Sequence, residues 1–277
     1  MSGEREPGIY HDLPNAEYHG GPEISNSGLG DILQSPYHYW ARHLNPNRPA
    51  QKDKAGQLEG TLAHCAILEP GEFDRRYLVG PDVSRATKAW KEAEAEAAAG
   101  GLTLIKPDQY DTAMEQAASV MRLPDVAQAL ARGRPEVSIS WRDEETGVLC
   151  RARPDWVHDT DGGGVILLDV KTFSDASPNE FRRQAARKGY HRQEAMYREG
   201  YAKASGAEVL AFIFVAVEDK YPFAASAVML DDESHDAGWQ QYRHALNTYA
   251  ECAAKNEWPG YSSGIEIIQL PRYALAA

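Results

Sequence analysis

The hydrophobic pattern of the chain changes its period near residue 135. Residues 136–142 alternate polar and apolar side chains, which is typical of a strand with one buried face. Residues 165–168 are continuously apolar, which indicates a strand buried on both faces. The segments before residue 131 favour helices instead. The sequence therefore predicts an α/β fold in which helices flank a mixed central sheet and the N-terminal half is mostly helical.

Caps and terminators give the extent of the individual elements. A short helix is predicted after Ser25, and Ser35-Pro36 ends it because the residue before a proline is pushed out of the helical region. Gly100-Gly101 similarly ends a helix that is rich in alanine and glutamate. That helix is predicted over residues 87–99, and further helices over residues 57–68, 107–130 and 232–255, with helical segments from residue 178 to about 204. The predicted strands cover residues 136–142, 148–157, 165–171 and 209–217.

The chain divides by composition near residue 55. Residues 1–55 are rich in Pro, Asn, His and Tyr and are predicted to form an N-terminal arm with one short helix. Residues 56–277 are predicted to form the main domain, with a helical insert at about residues 87–130 that contains no recognisable chemical motif. A length of 277 residues is compatible with one large domain and such additions.

Composition excludes several classes of protein. No apolar run approaches the roughly 18 residues of a membrane helix, and the N-terminus lacks the apolar core of a secretion signal, so we expect a soluble, cytoplasmic protein. The three cysteines have no CxxC spacing, which argues against a disulfide framework or a cysteine-rich metal site. A net charge of −12 disfavours wholesale coating of a polyanion, so any contact with nucleic acid should be local and use metal ions.

Asp169-Val170-Lys171 is the segment that indicates chemistry most directly. Residues two apart in a strand point to the same face, so Asp169 and Lys171 should project together. A short turn precedes this strand, and a hairpin would bring Asp155 close to Asp169. Two carboxylates with nearby carbonyl oxygens suit Mg²⁺ or Mn²⁺, although an ordinary ion pair would use the same residues. The similar segment Glu218-Asp219-Lys220 has no such context and is interpreted as a solvated strand end.

Basic side chains are concentrated after this strand. Between residues 181 and 198 six lysines and arginines occur with a single acid, Glu194. The simplest interpretation is a solvated helix face, and the alternative is a contact with phosphate groups. The basic residues are Arg182, Arg183, Arg187, Lys188, Arg192 and Arg198.

Several short motifs occur in order along the chain. None is specific alone, and their combination is much more specific. They are Ser25-Asn26-Ser27-Gly28-Leu29 with Ser35-Pro36, Gly60-Thr61-Leu62-Ala63-His64 with Leu68-Glu69-Pro70, Arg153-Pro154-Asp155, Asp169-Val170-Lys171, and Gln193 with Tyr197.

With these motifs the chain resembles the PD-(D/E)XK nuclease superfamily, and more narrowly the RecE-type (exonuclease VIII-like) exonucleases of phages and prophages, from about residue 8 to residue 270. The resemblance implies a restriction-endonuclease-like core in residues 56–277. It also implies a metal-dependent exonuclease that uses Mg²⁺, or Mn²⁺ in its place, and degrades one strand of linear duplex DNA from the 5′ end. The exposed 3′ strand would pass to a RecT-like single-strand annealing recombinase, and the enzyme would form a homo-oligomer such as a ring in the cytoplasm of a bacterial host.

The resemblance also implies roles for individual residues. The catalytic residues would be Asp155, Asp169, Lys171, Gln193 and Tyr197, and the metal ligands His64, Glu136, Asp155, Asp169 and the Val170 carbonyl. Arg182, Arg183, Arg187, Lys188, His191 and Arg192 would hold backbone phosphates, and Tyr190 would stack on an end base.

Simpler interpretations stay open for some of these residues. His64 would otherwise be a core histidine, Glu136 a solvent carboxylate at a strand edge, and Gln193 and Tyr197 ordinary packing on one helix face. Two other functions also stay open: an endonuclease of the same superfamily, and a non-catalytic module that binds DNA ends or a recombinase.

Overall fold

The computed structural model describes residues 5–49 and 56–275. The expected boundary at residue 55 lies outside the described residues. Within them the chain forms the predicted α/β fold with a mixed central sheet. A second sheet and a small parallel pair are also present and were not predicted. No helix in these two ranges is both long and apolar enough to cross a membrane.

A five-stranded mixed sheet forms the centre. Its strand order is β10-β9-β8-β7-β4, in which β8 and β9 run parallel and the other neighbours antiparallel. Both faces of β8 are buried, since Leu167 and Leu168 are each fully enclosed on opposite sides, as their unbroken apolar run predicts. The strands of this sheet are β4 (Arg134–Pro135), β7 (Trp156–Asp159), β8 (Val165–Phe173), β9 (Val209–Glu218) and β10 (Ala225–Val228).

A second sheet is antiparallel throughout and has the strand order β1-β5-β6. It consists of β1 (Gly8–Tyr10), β5 (Ser138–Arg142) and β6 (Leu149–Ala152), while β2 (Tyr77–Val79) and β3 (Thr103–Ile105) form the separate parallel pair. The expected continuous strand over residues 148–157 is therefore wrong. It is interrupted at residues 153–155, where Pro154 cannot donate a ladder hydrogen bond, and β6 and β7 join different sheets.

The helices surround these sheets. Helix α4 and helix α7 cover one face of the central sheet, while α2, α10 and α11 pack with its other face and with the second sheet. The helices are α1 (Asn15–Gly20), α2 (Asn26–Gln34), α3 (Pro36–Tyr39), α4 (Gln57–Leu68), α5 (Phe73–Arg76), α6 (Lys88–Ala99), α7 (Pro107–Met121), α8 (Pro124–Leu130), α9 (Pro178–Lys188), α10 (Tyr190–Ser205), α11 (Asp232–Lys255) and α12 (Arg272–Leu275).

Two predicted helical stretches are divided in the structure. The expected helix over residues 107–130 is interrupted before Pro124, because proline lacks an N–H and restricts the preceding residue. The stretch from residue 178 to 204 is divided at Gly189, whose φ of 72° lies in the left-handed region that ends helices. This second break directs α10 towards β8.

The N-terminal segment packs into the same core as the rest of the chain. Strand β1 pairs with β5, and Ile24, Leu29 and Ile32 are buried in the main hydrophobic cluster. Ser25 caps α2 through its side chain, which accepts from the Gly28 N–H. The described part of the predicted arm therefore supports the second sheet.

Candidate functional site

The two places where the chain passes between the sheets lie side by side. Glu136 follows β4 and leads into β5, and Asp155 follows β6 and leads into β7. The Glu136 N–H donates to the Asp155 carbonyl over 2.9 Å, which joins the two crossings. Glu136 has a φ of 49°, an unusual conformation for a residue with a side chain. The sheet exchange therefore places two carboxylates at one point.

Helix α4 contributes an imidazole to this point. His64 Nδ1 lies 3.6 Å from Asp155 Oδ2, and ligand atoms of His64, Glu136 and Asp155 all lie within 4.8 Å of one another. Helix α4 approaches β8 closely at Gly60, where an added Cβ would lie 3.8 Å from the Thr172 hydroxyl. The structure thus brings together three of the predicted metal ligands.

The strand hairpin brings Asp155 to β8 as the sequence predicts. Asp155 Oδ2 accepts a hydrogen bond of 2.7 Å from the Val170 N–H. The Val170 side chain is buried in the core. The role of its carbonyl as a metal ligand stays a prediction.

Asp169 lies beside the three-residue group but does not belong to it. Its Oδ1 accepts from Gln193 Nε2 over 2.6 Å, and its Oδ2 contacts Lys171 Nζ. The predicted same-face arrangement of Asp169 and Lys171 is therefore present, with Gln193 of α10 as a third member. The role of Asp169 as a metal ligand stays a prediction.

Tyr197 lies one helical turn after Gln193. Its ring contacts Phe212 at a centroid distance of 6.2 Å. Burial, together with the charges of Asp169 and Asp155, raises the pKa of Tyr197 well above its usual value. The phenol is therefore neutral and able to donate a hydrogen bond.

Burial and neighbouring charges shift the pKa values of the ionisable groups at the site. Burial raises the pKa of Glu136 to about 8, assisted by repulsion from Asp155 and opposed by Arg153. Burial also raises the pKa of Asp169 to about 6, although Lys171 opposes this shift. Burial lowers the pKa of Lys171, but the Asp169 and Asp155 carboxylates outweigh it and raise the value, so the amine is an ammonium ion.

Arg153 supports the site in a way that the sequence analysis did not identify. Its guanidinium Nε donates to Ser138 Oγ over 2.7 Å, one Nη donates to Asn15 Oδ1 over 2.6 Å, and that same Nη lies 3.9 Å from Glu136 Oε2. Its carbon Cζ also lies 4.0 Å from the centroid of Tyr18. The only signal in the sequence is its position before Pro154-Asp155; its partners come from distant segments.

The predicted DNA-binding residues fall into two groups. Four of them are exposed on α9. Arg183 donates to Glu180 over 3.2 Å and Arg187 donates to Gln184 over 2.7 Å, so both side chains are also linked along the helix. Their roles stay predictions. The exposed members are Arg182, Arg183, Arg187 and Lys188.

The other three are less exposed than the four residues of α9. Arg192 is only 7% exposed and donates from Nε to Asn26 Oδ1 over 2.9 Å, so it joins α10 to α2 and does not face a DNA backbone. His191 is half-buried, and its Nδ1 lies 3.3 Å from the Ala185 carbonyl. Tyr190 is half-buried and packs in an aromatic cluster with Phe181, and its stacking on a base stays a prediction.

The residues present fit a hard divalent cation. Two carboxylates and an imidazole converge, and both carboxylates lie on main-chain crossings that fix their positions. Oxygen ligands with one nitrogen are compatible with Mg²⁺ or Mn²⁺. Burial and repulsion from Asp155 raise the pKa of Glu136, and a bound cation would offset that repulsion.

Comparisons with solved structures find three similar proteins. A putative exonuclease from Eubacterium rectale is structurally similar, with a TM-score of 0.62 and 14% identity, over 97% of this chain and 99% of that one. A phage-related exonuclease from Haemophilus somnus 129PT gives a TM-score of 0.36 and 14% identity, over 84% and 96% of the two chains. An alkaline exonuclease from Laribacter hongkongensis gives 0.26 and 14%, over 68% and 96%. No curated protein sequence matches the chain.

The first of these similarities, at 14% identity, establishes a shared fold. A family model also matches the sequence, over residues 25–271, and this range includes every predicted site residue. The chain therefore belongs to the family described as the PDDEXK-like domain of unknown function (DUF3799).

Proposed function

We propose that the protein is a metal-dependent exodeoxyribonuclease that degrades the 5′-ended strand of linear double-stranded DNA. The observation that carries the proposal is the convergence of His64, Glu136 and Asp155 beside the Asp169–Lys171 pair, in a fold of the PDDEXK-like family. Hydrolysis of a phosphodiester requires compensation of negative charge, and this is the chemistry that such a donor set supports.

Each residue has a role in this proposal. His64, Glu136 and Asp155 would hold the divalent cation, with Mg²⁺ as the proposed metal and Mn²⁺ as its substitute. When bound, the cation supplies charge neutralisation at the phosphodiester and acidifies water. Lys171 would bind a phosphate oxygen with its ammonium group. Gln193 holds Asp169, which in turn orients that ammonium.

The exposed basic side chains of α9 would hold the DNA backbone. They follow β8 directly in the chain and form a local cluster of positive charge in a protein whose net charge is −12. Local positive charge in an otherwise acidic protein would favour entry of a DNA end at this helix and disfavour binding elsewhere.

The wider setting is also proposed. The strand left after digestion would serve homologous recombination of the phage type, with a RecT-like annealing protein as the partner, in the cytoplasm of a bacterial host. A homo-oligomer such as a ring would favour processive digestion.

The test is digestion of a linear duplex with one labelled 5′ end, with and without Mg²⁺, next to a covalently closed plasmid of the same sequence. We expect loss of the 5′ label and of the linear duplex only with the metal, while the plasmid stays intact. Plasmid cleavage would indicate an endonuclease, and DNA binding without digestion in either Mg²⁺ or Mn²⁺ would indicate a non-catalytic module.

The chain contains a matched control for the catalytic lysine. Lys220 belongs to a second acidic-x-Lys segment, but it is exposed after the end of β9. We expect Lys171→Ala and Asp169→Ala to abolish digestion, and Lys220→Ala to retain it. Robust digestion by both site variants would refute the assigned active site.

A further inference from the structure

Lys171 is held from two sides. Its Nζ contacts Asp169 Oδ2 on one side and lies 4.9 Å from the centroid of the Tyr190 ring on the other. The Lys171 side chain is 20% exposed, so its ammonium group is largely removed from water. The face of an aromatic ring carries negative potential and attracts a cation within about 6 Å, most strongly where water is excluded.

The Tyr190 ring is itself fixed in an aromatic cluster. It stacks on Phe181 with ring planes 26° apart and centroids 5.9 Å apart. It also contacts Phe214 at 5.6 Å and Phe173 at 6.3 Å. These rings come from α9, β8 and β9, so the orientation of Tyr190 is set by the central sheet and a neighbouring helix.

The start of α10 determines where this ring lies. Tyr190 is the first residue of α10, directly after Gly189, whose φ of 72° turns the chain between α9 and α10. Gln193 lies three residues further on the same helix and holds the other oxygen of Asp169. One helix end thus supplies both a contact to the carboxylate and a contact to its ammonium partner.

A single carboxylate contact leaves a lysine side chain free to rotate, because an ammonium ion is a compact charge on a flexible stem. A second, fixed contact from the ring restricts that rotation. The ammonium then keeps one orientation and still has a donor available for a phosphate oxygen. Precise placement of a charged group before the substrate binds is a large contribution to catalysis.

We propose that Tyr190 is a positioning residue that orients Lys171 through the face of its ring. This inference rests on the proposed hydrolytic function of the same site. It replaces the expectation that Tyr190 stacks on a DNA base. This role requires the π-system of the ring and does not require the phenolic hydroxyl.

The first test compares Tyr190→Phe and Tyr190→Leu on linear duplex DNA with Mg²⁺. Tyr190→Phe keeps the ring and should retain kcat within about twofold. Tyr190→Leu removes the ring and should lower kcat by about 5- to 30-fold, as expected for loss of a desolvated cation–π contact, with KM for DNA nearly unchanged. A base-stacking role would instead raise KM in Tyr190→Leu.

The second test separates the electronic effect from packing. Phenylalanine analogues with one, two or three fluorine atoms at position 190 weaken the negative face of the ring with little change in shape. We expect log kcat to fall steadily with fluorination. The same series at Phe73, which packs with Tyr77 and Tyr110 in a separate hydrophobic cluster, should leave kcat unchanged. Thermal melting of each variant reports its folding.

The outcomes distinguish this inference from the proposed function. If the native protein does not hydrolyse DNA with metal, the proposed function fails. If it does, and the fluorination series at position 190 is flat, the positioning role fails while the proposed function stands. A series that slopes equally at positions 190 and 73 would also contradict the role, because it would show a general effect of fluorination in the core.

Discussion

Glu136 has a backbone conformation that few residues with side chains adopt. Its φ of 49° lies in the left-handed region, between Pro135 of β4 and the first residues of β5. Strained conformations of this kind are retained mainly where function requires them. The sequence predicts Glu136 at the start of a strand. Glutamate has no preference for the left-handed conformation, so its residue type does not predict that the chain crosses between sheets at this position.

Tyr190 and Arg192 show that the sequence does not predict which partner a side chain contacts. Both were predicted as DNA contacts because they occur within a basic run. The structure turns Tyr190 towards Lys171 and Arg192 towards Asn26, because α10 is packed on both sides. Residue type indicated the chemistry here, while the partner of each side chain depended on tertiary packing.

The raised pKa values of the site predict how stability depends on pH. Because the pKa of Glu136 is raised from 4.5 to about 8, the folded protein holds a proton that the unfolded chain releases. The free energy of unfolding of the metal-free protein should therefore decrease as pH rises from about 4.5 to about 8. Mn²⁺ should raise the melting temperature more at pH 8 than at pH 6, because metal binding requires the deprotonated ligand.

The variant that tests this pH dependence is Glu136→Gln, because its side chain cannot titrate. Its free energy of unfolding should change less between about pH 6 and pH 8, and Mn²⁺ should stabilise it less. Glu144→Gln, at an exposed position in the turn after β5, is the control and should behave as the native protein does. Equal pH dependence in all three proteins would exclude Glu136 as the titrating group.

Regular helices were predicted well at the scale of elements, because their caps and terminators are local. The predicted helices over residues 57–68 and 232–255 agree with α4 and α11. The division of residues 148–157 between two sheets was not predicted, since both halves have strand character and sheet membership is set by distant partners. For the same reason β1 and β10, which are short edge strands, were missed.

The break between α9 and α10 depends on glycine. Gly189 and Gly206 both end helices with φ near 71–72°. An added Cβ at Gly189 would lie 2.8 Å from Arg192 Nη1, whereas Gly206 has open space. Gly206→Ala should cost about 1–2 kcal/mol from backbone strain alone. Gly189→Ala should cost more, because Arg192 must move from Asn26.

Urea denaturation of both variants measures this difference. The comparison isolates the contact with Arg192, since the backbone conformation is nearly the same at the two positions. Gly189→Ala should also lower kcat, because it disturbs the start of α10. Equal stability of the two variants would contradict the close approach at Gly189.

The second sheet is tied to the C-terminal helix across the molecule. Asp143, in the turn between β5 and β6, is 1% exposed and accepts from Arg243 of α11 over 2.5 and 3.2 Å. Burial raises the pKa of Asp143, but hydrogen bonds from Arg243 and Thr146 outweigh it and lower the value to about 2. This pair therefore stabilises the fold above pH 3.8, and its contribution is lost as the pH falls through about 2.

Asp143→Asn should lower the free energy of unfolding by about 1–3 kcal/mol at neutral pH, because it leaves a partly buried guanidinium less well paired. The variant should also lose less stability than the native protein between about pH 4 and pH 2. Asp161→Asn, at a fully exposed pair with Arg132, should change stability by less than about 0.5 kcal/mol. Denaturation curves at several pH values would measure both effects, and equal losses in the two variants would contradict the account.

The distribution of charge over the whole molecule predicts how DNA binding depends on salt. Arg182→Ala with Arg187→Ala should reduce the slope of log affinity against log salt concentration by about 1.8, if each residue neutralises one phosphate. Lys88→Ala with Lys91→Ala removes the same charge from exposed positions on α6 and is the control. Fluorescence anisotropy with a short duplex in Ca²⁺ measures both, and an equal change in the two pairs would show that only net charge matters.

The most direct measurement of the central claim is the position of a bound cation. Crystals of the protein soaked in Mn²⁺ should show an anomalous scattering peak within coordination distance of His64, Glu136 and Asp155, and the peak should disappear in Asp155→Asn. A peak at a different place, or an unchanged peak in Asp155→Asn, would contradict the proposed metal centre.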